Sequence, residues 1–163
     1  MPTLLSPAHI ALVGSGISAI VASRDAQLRP SLMRAMGADI SADGQRITVY
    51  LRPSQSHQLL ADLRAGGPIT VVFSDPPSNR TLQLKAAGAC LRALQPSDQA
   101  VLRRYLGAMQ RRVGQVGFGP DYVAAILAAP PDDLLAVEFT PEAAFDQTPG
   151  ARAGTPLPAG GTP

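Results

Sequence analysis

Large apolar residues alternate with smaller or polar ones along two neighbouring segments in the middle of the chain. Segment 69–74 places Ile69, Val71 and Phe73 at every second position, and segment 81–85 repeats the pattern with leucines. An alternation with a period of two predicts β-strands, because successive side chains of a strand point to opposite faces of a sheet. The intervening segment contains two successive prolines, which lack the N–H groups that a strand needs, so we expect a turn there.

Three more strands are predicted before this pair. They are separated by a plausible hairpin turn after Ser23 and by a strong turn signal at Asp43-Gly44. The first has apolar residues on both faces, as expected of a buried strand. The three segments are residues 17–23, 30–38 and 45–51.

One helix is predicted between the third and fourth strands. Ser54 is a good N-cap residue, the leucines at 59, 60 and 63 share one face, and Gly66-Gly67 provides an end. A short helix or turn is also expected over residues 6–12. The order of strands and inserted helix indicates an antiparallel barrel and not an alternating βαβ sheet.

The second half of the chain adds two helices and one strand to this barrel. The strand that begins at Thr81 is expected to continue to Leu91, with Gly88 marking a bulge. Apolar residues at helical spacing and proline-containing starts predict the helices, and an apolar run predicts the last of six strands. These elements span residues 96–114, 119–128 and 134–140.

Proline, glycine, threonine and alanine dominate from Asp146 onward, so we expect little burial there. The sequence therefore predicts a mainly β, α+β domain over residues 1–145 and a Pro/Gly-rich C-terminal tail over 146–163.

Composition points to a soluble protein of ordinary size. The chain has 163 residues, a formal net charge of +2 and 45% hydrophobic residues, and no apolar run reaches the ~18 residues of a membrane span. No basic region followed by a long apolar stretch opens the sequence, so we expect a cytoplasmic location. The single cysteine, Cys90, excludes an internal disulfide and is expected to be a small buried hydrophobe.

Motifs for several common chemistries are missing. The two histidines, His9 and His57, lie far apart without acidic neighbours at ligand spacing, so we expect no metal site. No G-x-S-x-G or phosphate-loop motif occurs, and the glycines at 14 and 16 precede a strand instead of following one, unlike a dinucleotide fingerprint. Aromatic residues make up only 4% of the chain, which makes nucleic-acid binding an unlikely function.

Polar side chains gather at two places along the predicted barrel. One is the loop and helix start from Arg52 to His57, where unsatisfied N–H groups and the helix dipole suit a phosphate. The other is the strand start from Arg80 to Lys85, whose guanidinium, hydroxyl, amide and ammonium groups suit an anionic ligand. A solvated sheet face is the alternative interpretation of the second cluster.

The segment R-T-L-Q-L-K at Arg80 to Lys85, following V-V-F-S-D-P-P, and the order of elements over residues 17–91 resemble the pyridoxamine 5′-phosphate oxidase-like superfamily. This resemblance implies a six-stranded antiparallel split barrel with an inserted helix and extra C-terminal helices. It also implies FMN as the cofactor and a homodimer with a flavin cleft at each of two interface positions.

Individual site residues follow from the same resemblance. Ser54 and Ser56 match phosphate-binding hydroxyls, His57 stands near a position often occupied by lysine, and Arg34 is similar to an arginine of the second strand. The lysine of that strand has no counterpart, since Gly37, Ala38 or Asp39 stands there. The expected cofactor-binding residues are Arg34, Ser54, Ser56, His57, Arg80, Thr81, Gln83 and Lys85.

The resulting hypothesis is an FMN-dependent oxidoreductase acting on a small molecule, with no catalytic residue assigned. One alternative is a protein that binds or senses a flavin or haem without turnover. Another is a nucleic-acid-binding barrel that uses the arginines between Arg103 and Arg112, although a solvated helix face is the default interpretation of these. We do not expect an authentic pyridoxamine 5′-phosphate oxidase, because Arg152 is the only basic residue after Phe139.

Overall fold

The computed structural model describes residues 4–158, which form an α+β fold of ten strands and four α-helices. The strands are β1 (Ser18–Arg24), β2 (Pro30–Arg34), β3 (Gly37–Ile40), β4 (Ile47–Leu51), β5 (Ile69–Ser74), β6 (Thr81–Ala86), β7 (Cys90–Ala93), β8 (Leu135–Phe139), β9 (Ala143–Asp146) and β10 (Thr155–Pro156). The helices are α1 (Pro7–Gly14), α2 (His57–Arg64), α3 (Asp98–Gly114) and α4 (Pro120–Ile126), with short 3-10 turns at Pro53–Gln55 and Pro131–Asp133. The fold class, the helix inserted between strands and the later helices are as predicted.

The strands pair into two antiparallel sheets. Sheet A has the order β10-β9-β6-β5-β1-β2, and sheet B has the order β3-β4-β8-β7. Within residues 4–158 the chain passes between the sheets at three short corners, from β2 to β3, from β6 to β7 and from β8 to β9. Apolar side chains from both sheets fill one core, and alternate residues such as Val21, Phe73 and Leu84 are completely buried in it. Burying each such side chain contributes about 1.5 to 3 kcal/mol.

Two predicted strands are wrong in extent, because each divides between the sheets. The predicted strand 30–38 changes sheet within one peptide step: the Ala35 N–H donates to Ala19 of sheet A, and the Met36 N–H donates to Tyr50 of sheet B. The predicted strand from Thr81 to Leu91 likewise ends at Ala86, and the segment containing Gly88 is a corner and not a bulge. Apolar alternation continues across both corners, since both halves face the same core.

Two short strands near the C-terminal end were not predicted from the sequence. β9 pairs with β6, and β10 pairs with β9 through Thr155 and Asp146. The C-terminal tail, predicted to begin at Asp146 and to bury little, thus starts at the last residue of β9 and includes β10. Residues 159–163 of the tail lie outside the described part of the chain. The prediction that Cys90 is buried is also wrong, because it begins an edge strand and is exposed.

Helix α3 connects the two sheets. At its first residue, Asp98 accepts hydrogen bonds from the Tyr50 hydroxyl at 2.8 Å and from two Arg92 nitrogens at 2.7 and 3.0 Å, all of which belong to sheet B. Further along, the buried Tyr105 hydroxyl donates to the Ile17 carbonyl at 2.8 Å, just before β1 of sheet A. Arg112 forms an ion pair with Asp75, just after β5. One rigid helix thus fixes both sheets.

The α3 arginines are only partly the solvated face that the sequence predicted. Besides the Arg112 pair, Arg104 bonds Asp39 at 2.8 Å, while Arg103 and Arg111 are exposed. Within residues 4–158 no helix is long and apolar enough to cross a bilayer.

Gly16 allows α3 to approach the start of β1. Its φ of +74° lies in the left-handed region, and a Cβ atom built there would stand 2.6 Å from the Ala108 Cβ. Glycine is therefore required at this position for both backbone and packing reasons.

We predict that Gly16→Ala destabilises the protein more than Gly117→Ala does. Both glycines have positive φ, but no atom lies within 4 Å of a Cβ at Gly117. Gly117→Ala should cost roughly 1 to 2 kcal/mol of backbone strain, and Gly16→Ala roughly 1 to 3 kcal/mol more from overpacking against Ala108. Urea unfolding of both variants measures the difference, and equal losses would contradict the close approach of α3.

A second prediction concerns the Asp98 carboxylate. Hydrogen bonds from Arg92 chiefly lower its pKa to about 2. Because the pKa of Asp98 is lower in the folded than in the unfolded protein, the ionised carboxylate contributes its full stabilisation above the unfolded pKa of about 3.9. This stabilisation is lost as the pH falls through the folded-state pKa. Asp98→Asn should cost about 2 kcal/mol at neutral pH, with the difference from wild type shrinking between about pH 4 and pH 2. Unfolding curves across this range test it; a pH-independent difference would contradict it.

Candidate functional site

Four of the predicted site residues share one face of sheet A. Strand register aligns Arg34 of β2 with Ile20, Val72 and Gln83 on successive strands. Thr81 and Lys85 lie two residues to either side of Gln83, and therefore point to the same side of the sheet. We call this side the outer face of sheet A, because the alternate residues point into the core. Arg34 and Gln83 are three strand spacings apart, about 14 Å.

A polar row crosses one end of the outer face. Arg34 donates from Nη1 to the Ser18 hydroxyl at 2.8 Å, and Ser18 pairs with Ser74 on the next strand. The Ser74 and Thr81 hydroxyl oxygens are 2.9 Å apart. Sequence reasoning missed both serines, although each occupies the outward position of a strand whose alternation was recognised. Arg34 has no acidic partner among residues 4–158.

Next to this row the outer face becomes apolar. Ile20 and Val72 are only partly buried, and Leu32, two residues before Arg34, is 64% exposed. The Lys85 ammonium lies 4.8 Å from the centroid of the Phe145 ring, within the range of a cation–π contact. The outer face therefore offers cations, hydroxyls and an amide around a partly exposed apolar patch.

The segment before α2 differs from the prediction. Ser54 is not the N-cap of the helix, because it lies in a 3-10 turn and donates both its N–H and its hydroxyl to Asp133, at 2.9 and 2.5 Å. These Ser54 hydrogen bonds, followed by those from Arg52, lower the pKa of Asp133 to about 2. An anion at Ser54 would have to displace this carboxylate. The Asp133 partner is 79 residues away in sequence, so no local pattern reveals it.

Ser56 and His57 form the actual start of α2. Ser56 is the N-cap residue, yet its hydroxyl makes no capping bond, and it is a buried side-chain oxygen without a hydrogen-bond partner among the described residues. His57 is exposed at the first helical position. An unpartnered buried hydroxyl costs free energy, so a donor or acceptor supplied by a ligand would be favourable here.

Two hydrogen bonds fix the direction of α2 relative to β2. The Tyr50 carbonyl, shortly before this segment, accepts from Met36 just beyond the Arg34 end of β2. Asp62, near the end of α2, accepts from Ser31 at the opposite end of β2 at 2.5 Å. The segment from Tyr50 to Asp62 therefore runs from the Arg34 end of β2 toward its Ser31 end. Ser56 and His57, at the start of α2, lie nearer the Arg34 end.

Arg80 lies off the outer face and shares a cavity with only one other predicted residue, Thr81. It precedes β6 with the opposite alternation to Thr81 and lines a cavity of about 480 Å³ together with His9, Asp146 and Arg152. Within residues 4–158 no group of three histidine, cysteine or acidic residues is arranged to hold a metal ion.

Comparisons with known proteins identify the fold. No family model matches the sequence, and a search of curated proteins finds no relative. Among solved structures, HupZ of Group A Streptococcus is 15% identical with a TM-score of 0.57, covering 92% of this chain and 100% of its own. A protein from Lactobacillus delbrueckii assigned as a pyridoxamine 5′-phosphate oxidase is 13% identical with a TM-score of 0.55, covering 86% and 93%. An F420 reductase is 12% identical with a TM-score of 0.55, covering 86% and 98%.

The chain therefore shares the fold of these solved structures, one of which is assigned as a pyridoxamine 5′-phosphate oxidase, in agreement with the resemblance that the R-T-L-Q-L-K segment and the order of elements suggested. At these identities the likeness establishes the fold alone.

Proposed function

We propose that this protein binds FMN on the outer face of sheet A and acts as a flavin-dependent oxidoreductase on a small molecule in the cytoplasm. The observation that carries the proposal is the convergence of Arg34, Thr81, Gln83 and Lys85 on one partly exposed face. The fold adds support, because an F420 reductase and a protein assigned as a pyridoxamine 5′-phosphate oxidase share it, which suggests a flavin or deazaflavin cofactor.

The phosphate of FMN would bind between Arg34 and the start of α2. Arg34 supplies a guanidinium without an acidic partner in residues 4–158, and Ser56 supplies a buried hydroxyl that lacks a partner in the same range. The first N–H groups of α2 have no intrahelical acceptors and favour a dianion. In this proposal Ser54 supports the turn through Asp133 and does not contact phosphate.

The flavin ring would lie across the apolar part of the outer face. Thr81 and Gln83 offer hydroxyl and amide groups for the polar edge of a ring, and Ile20 and Val72 offer apolar surface for its plane. The backbones of Arg34 and Gln83 are about 14 Å apart, which leaves room for a flat ring joined to a phosphorylated chain. When bound, the flavin would supply the redox chemistry, while the protein orients it and limits access.

A second copy of the chain would cover this face. Leu32 is a large exposed apolar residue next to the polar row, and two-fold symmetry would bring the same patch of each copy together. Such a homodimer would enclose two equivalent clefts and leave each open to a small-molecule substrate or reductant.

The alternatives separate by simple observations. A yellow protein with flavin absorbance would favour flavin binding over nucleic-acid binding. The ion pairs of Arg104 and Arg112 already argue against the nucleic-acid hypothesis, because they occupy two of the four α3 arginines. Reduction of the bound flavin by NADH or NADPH, followed by reoxidation with a substrate, would distinguish an enzyme from a passive flavin or haem binder.

We predict that Arg34→Ala weakens FMN binding about ten- to hundred-fold, the loss expected for a charge-assisted hydrogen bond. Riboflavin, which lacks the phosphate, should bind both proteins almost equally. Arg64→Ala removes an equal charge from the far end of α2 and should leave FMN affinity unchanged. Fluorescence titrations with both ligands measure these affinities. Equal losses for FMN and riboflavin would assign Arg34 to the fold or the ring and not to the phosphate.

We also predict a homodimer that Leu32→Glu converts to monomers, because a carboxylate cannot be buried in an apolar interface without a partner. Val116→Glu changes another exposed apolar residue, 44% exposed and beyond the end of α3, and should leave the dimer intact. Sedimentation velocity at micromolar concentration with FMN present measures both. A monomeric wild-type protein under these conditions would contradict the proposed clefts.

A further inference from the structure

The cavity that contains Arg80 lies at the corner where α1 meets the ends of β6 and β9. Arg80, His9 and Arg152 line it together with Asp146, and three leucines form its apolar wall. The loop between β9 and β10 brings Arg152 there: the Gly154 N–H donates to the main-chain carbonyl of Asp146 at 2.7 Å, and β10 pairs with β9. A residue 72 positions from Arg80 in sequence thereby reaches the same cavity.

We propose that this cavity is a binding site for the phosphate group of a small molecule, separate from the flavin face. The two guanidinium groups form no ion pair among residues 4–158. Asp146 is the one carboxylate in the lining. With a neutral His9 the lining has a net charge of +1, and it reaches +2 when His9 is protonated. A phosphate dianion would neutralise it.

The existing hydrogen bonds leave donors available for such a ligand. Asp146 accepts from the Thr148 N–H at 2.9 Å, which occupies one of its oxygens within the protein. The Nδ1 atom of His9 lies 3.0 Å from the Ser6 hydroxyl oxygen at the start of α1, so Nε2 is the ring atom left for a ligand. Arginine is suited to this role, because its planar fork matches the oxygens of a phosphate.

The surroundings of His9 disfavour its protonated form. Burial, followed by the nearby Arg80 charge, lowers the pKa of His9. A bound dianion would favour the imidazolium and raise this pKa. By linkage, the anion should bind more tightly as the pH falls through the His9 pKa.

Thr81 lines this cavity and also belongs to the outer face of sheet A, whereas Arg34, Gln83 and Lys85 do not line the cavity. A phosphate held by Arg80 and Arg152 uses neither Arg34 nor Gln83, so we expect it to bind without displacing FMN. This independence also separates the present proposal from the proposed function, since each can fail without the other.

Titration of the FMN-loaded protein with inorganic phosphate tests the site, with calorimetry for affinity and NMR of the two histidine rings for location. We expect phosphate to raise the pKa of His9 and to leave the ring signals of His57 unperturbed. Arg80→Ala and Arg152→Ala should each weaken phosphate binding about ten-fold, while Arg64→Ala should leave it unchanged. Sulfate, whose charge is constant near neutral pH, should bind more tightly as His9 becomes protonated.

Three results would overturn the proposal. A shift of His57 alone would locate phosphate at the start of α2. An equal effect of Arg64→Ala would show attraction by overall charge only. Release of FMN by phosphate would make the cavity part of the flavin site.

Discussion

The bonds that α3 makes to both sheets are the constraint on which the candidate site depends. The contacts with sheet A involve Ile17 and Asp75, and each of these is adjacent to a serine of the polar row, Ser18 or Ser74. The Tyr105 hydroxyl thus fixes the backbone immediately before Ser18. The buried face of α3 thus positions the polar row, although the side chains of the row are partly exposed.

The arginines divide according to whether an acidic residue accompanies them. Arg92 and Arg112 are bound to largely buried carboxylates and fix one element to another. Removing one member of such a pair leaves a buried charge, which is strongly destabilising. Arg34, Arg80 and Arg152 have no acidic partner within 4–158, and all three line the outer face or the cavity. Because no ion pair occupies these three guanidinium groups among the described residues, they are available to bind an anionic ligand.

The sequence revealed what depends on local periodicity and missed what depends on distant partners. The strands around Val71 and Leu84 and the helix from Asp98 follow from apolar spacing, because each is amphipathic over its whole length. The change of sheet between Ala35 and Met36 leaves the alternation intact and cannot be seen in it. Ser54 appeared to be a cap for a similar reason, since its partner Asp133 is far away in the chain.

The R-T-L-Q-L-K segment shows how a strand divides a motif. Its period of two sends Thr81, Gln83 and Lys85 to the outer face, whereas Leu82 and Leu84 enter the core and Arg80 reaches the cavity beside His9. A resemblance in linear sequence groups all the polar residues of the segment into one site, because the sequence alone does not show which way each side chain points. Strand geometry sends Gln83 and Lys85 to the outer face only, whereas Arg80, just before the strand, lines the cavity. Thr81 lines the cavity as well as belonging to the outer face, so the two surfaces meet at this residue. A ligand that contacts the Arg80 guanidinium can therefore reach Thr81 without contacting Arg34, which lies two strands beyond Ser74, the cross-strand neighbour of Thr81.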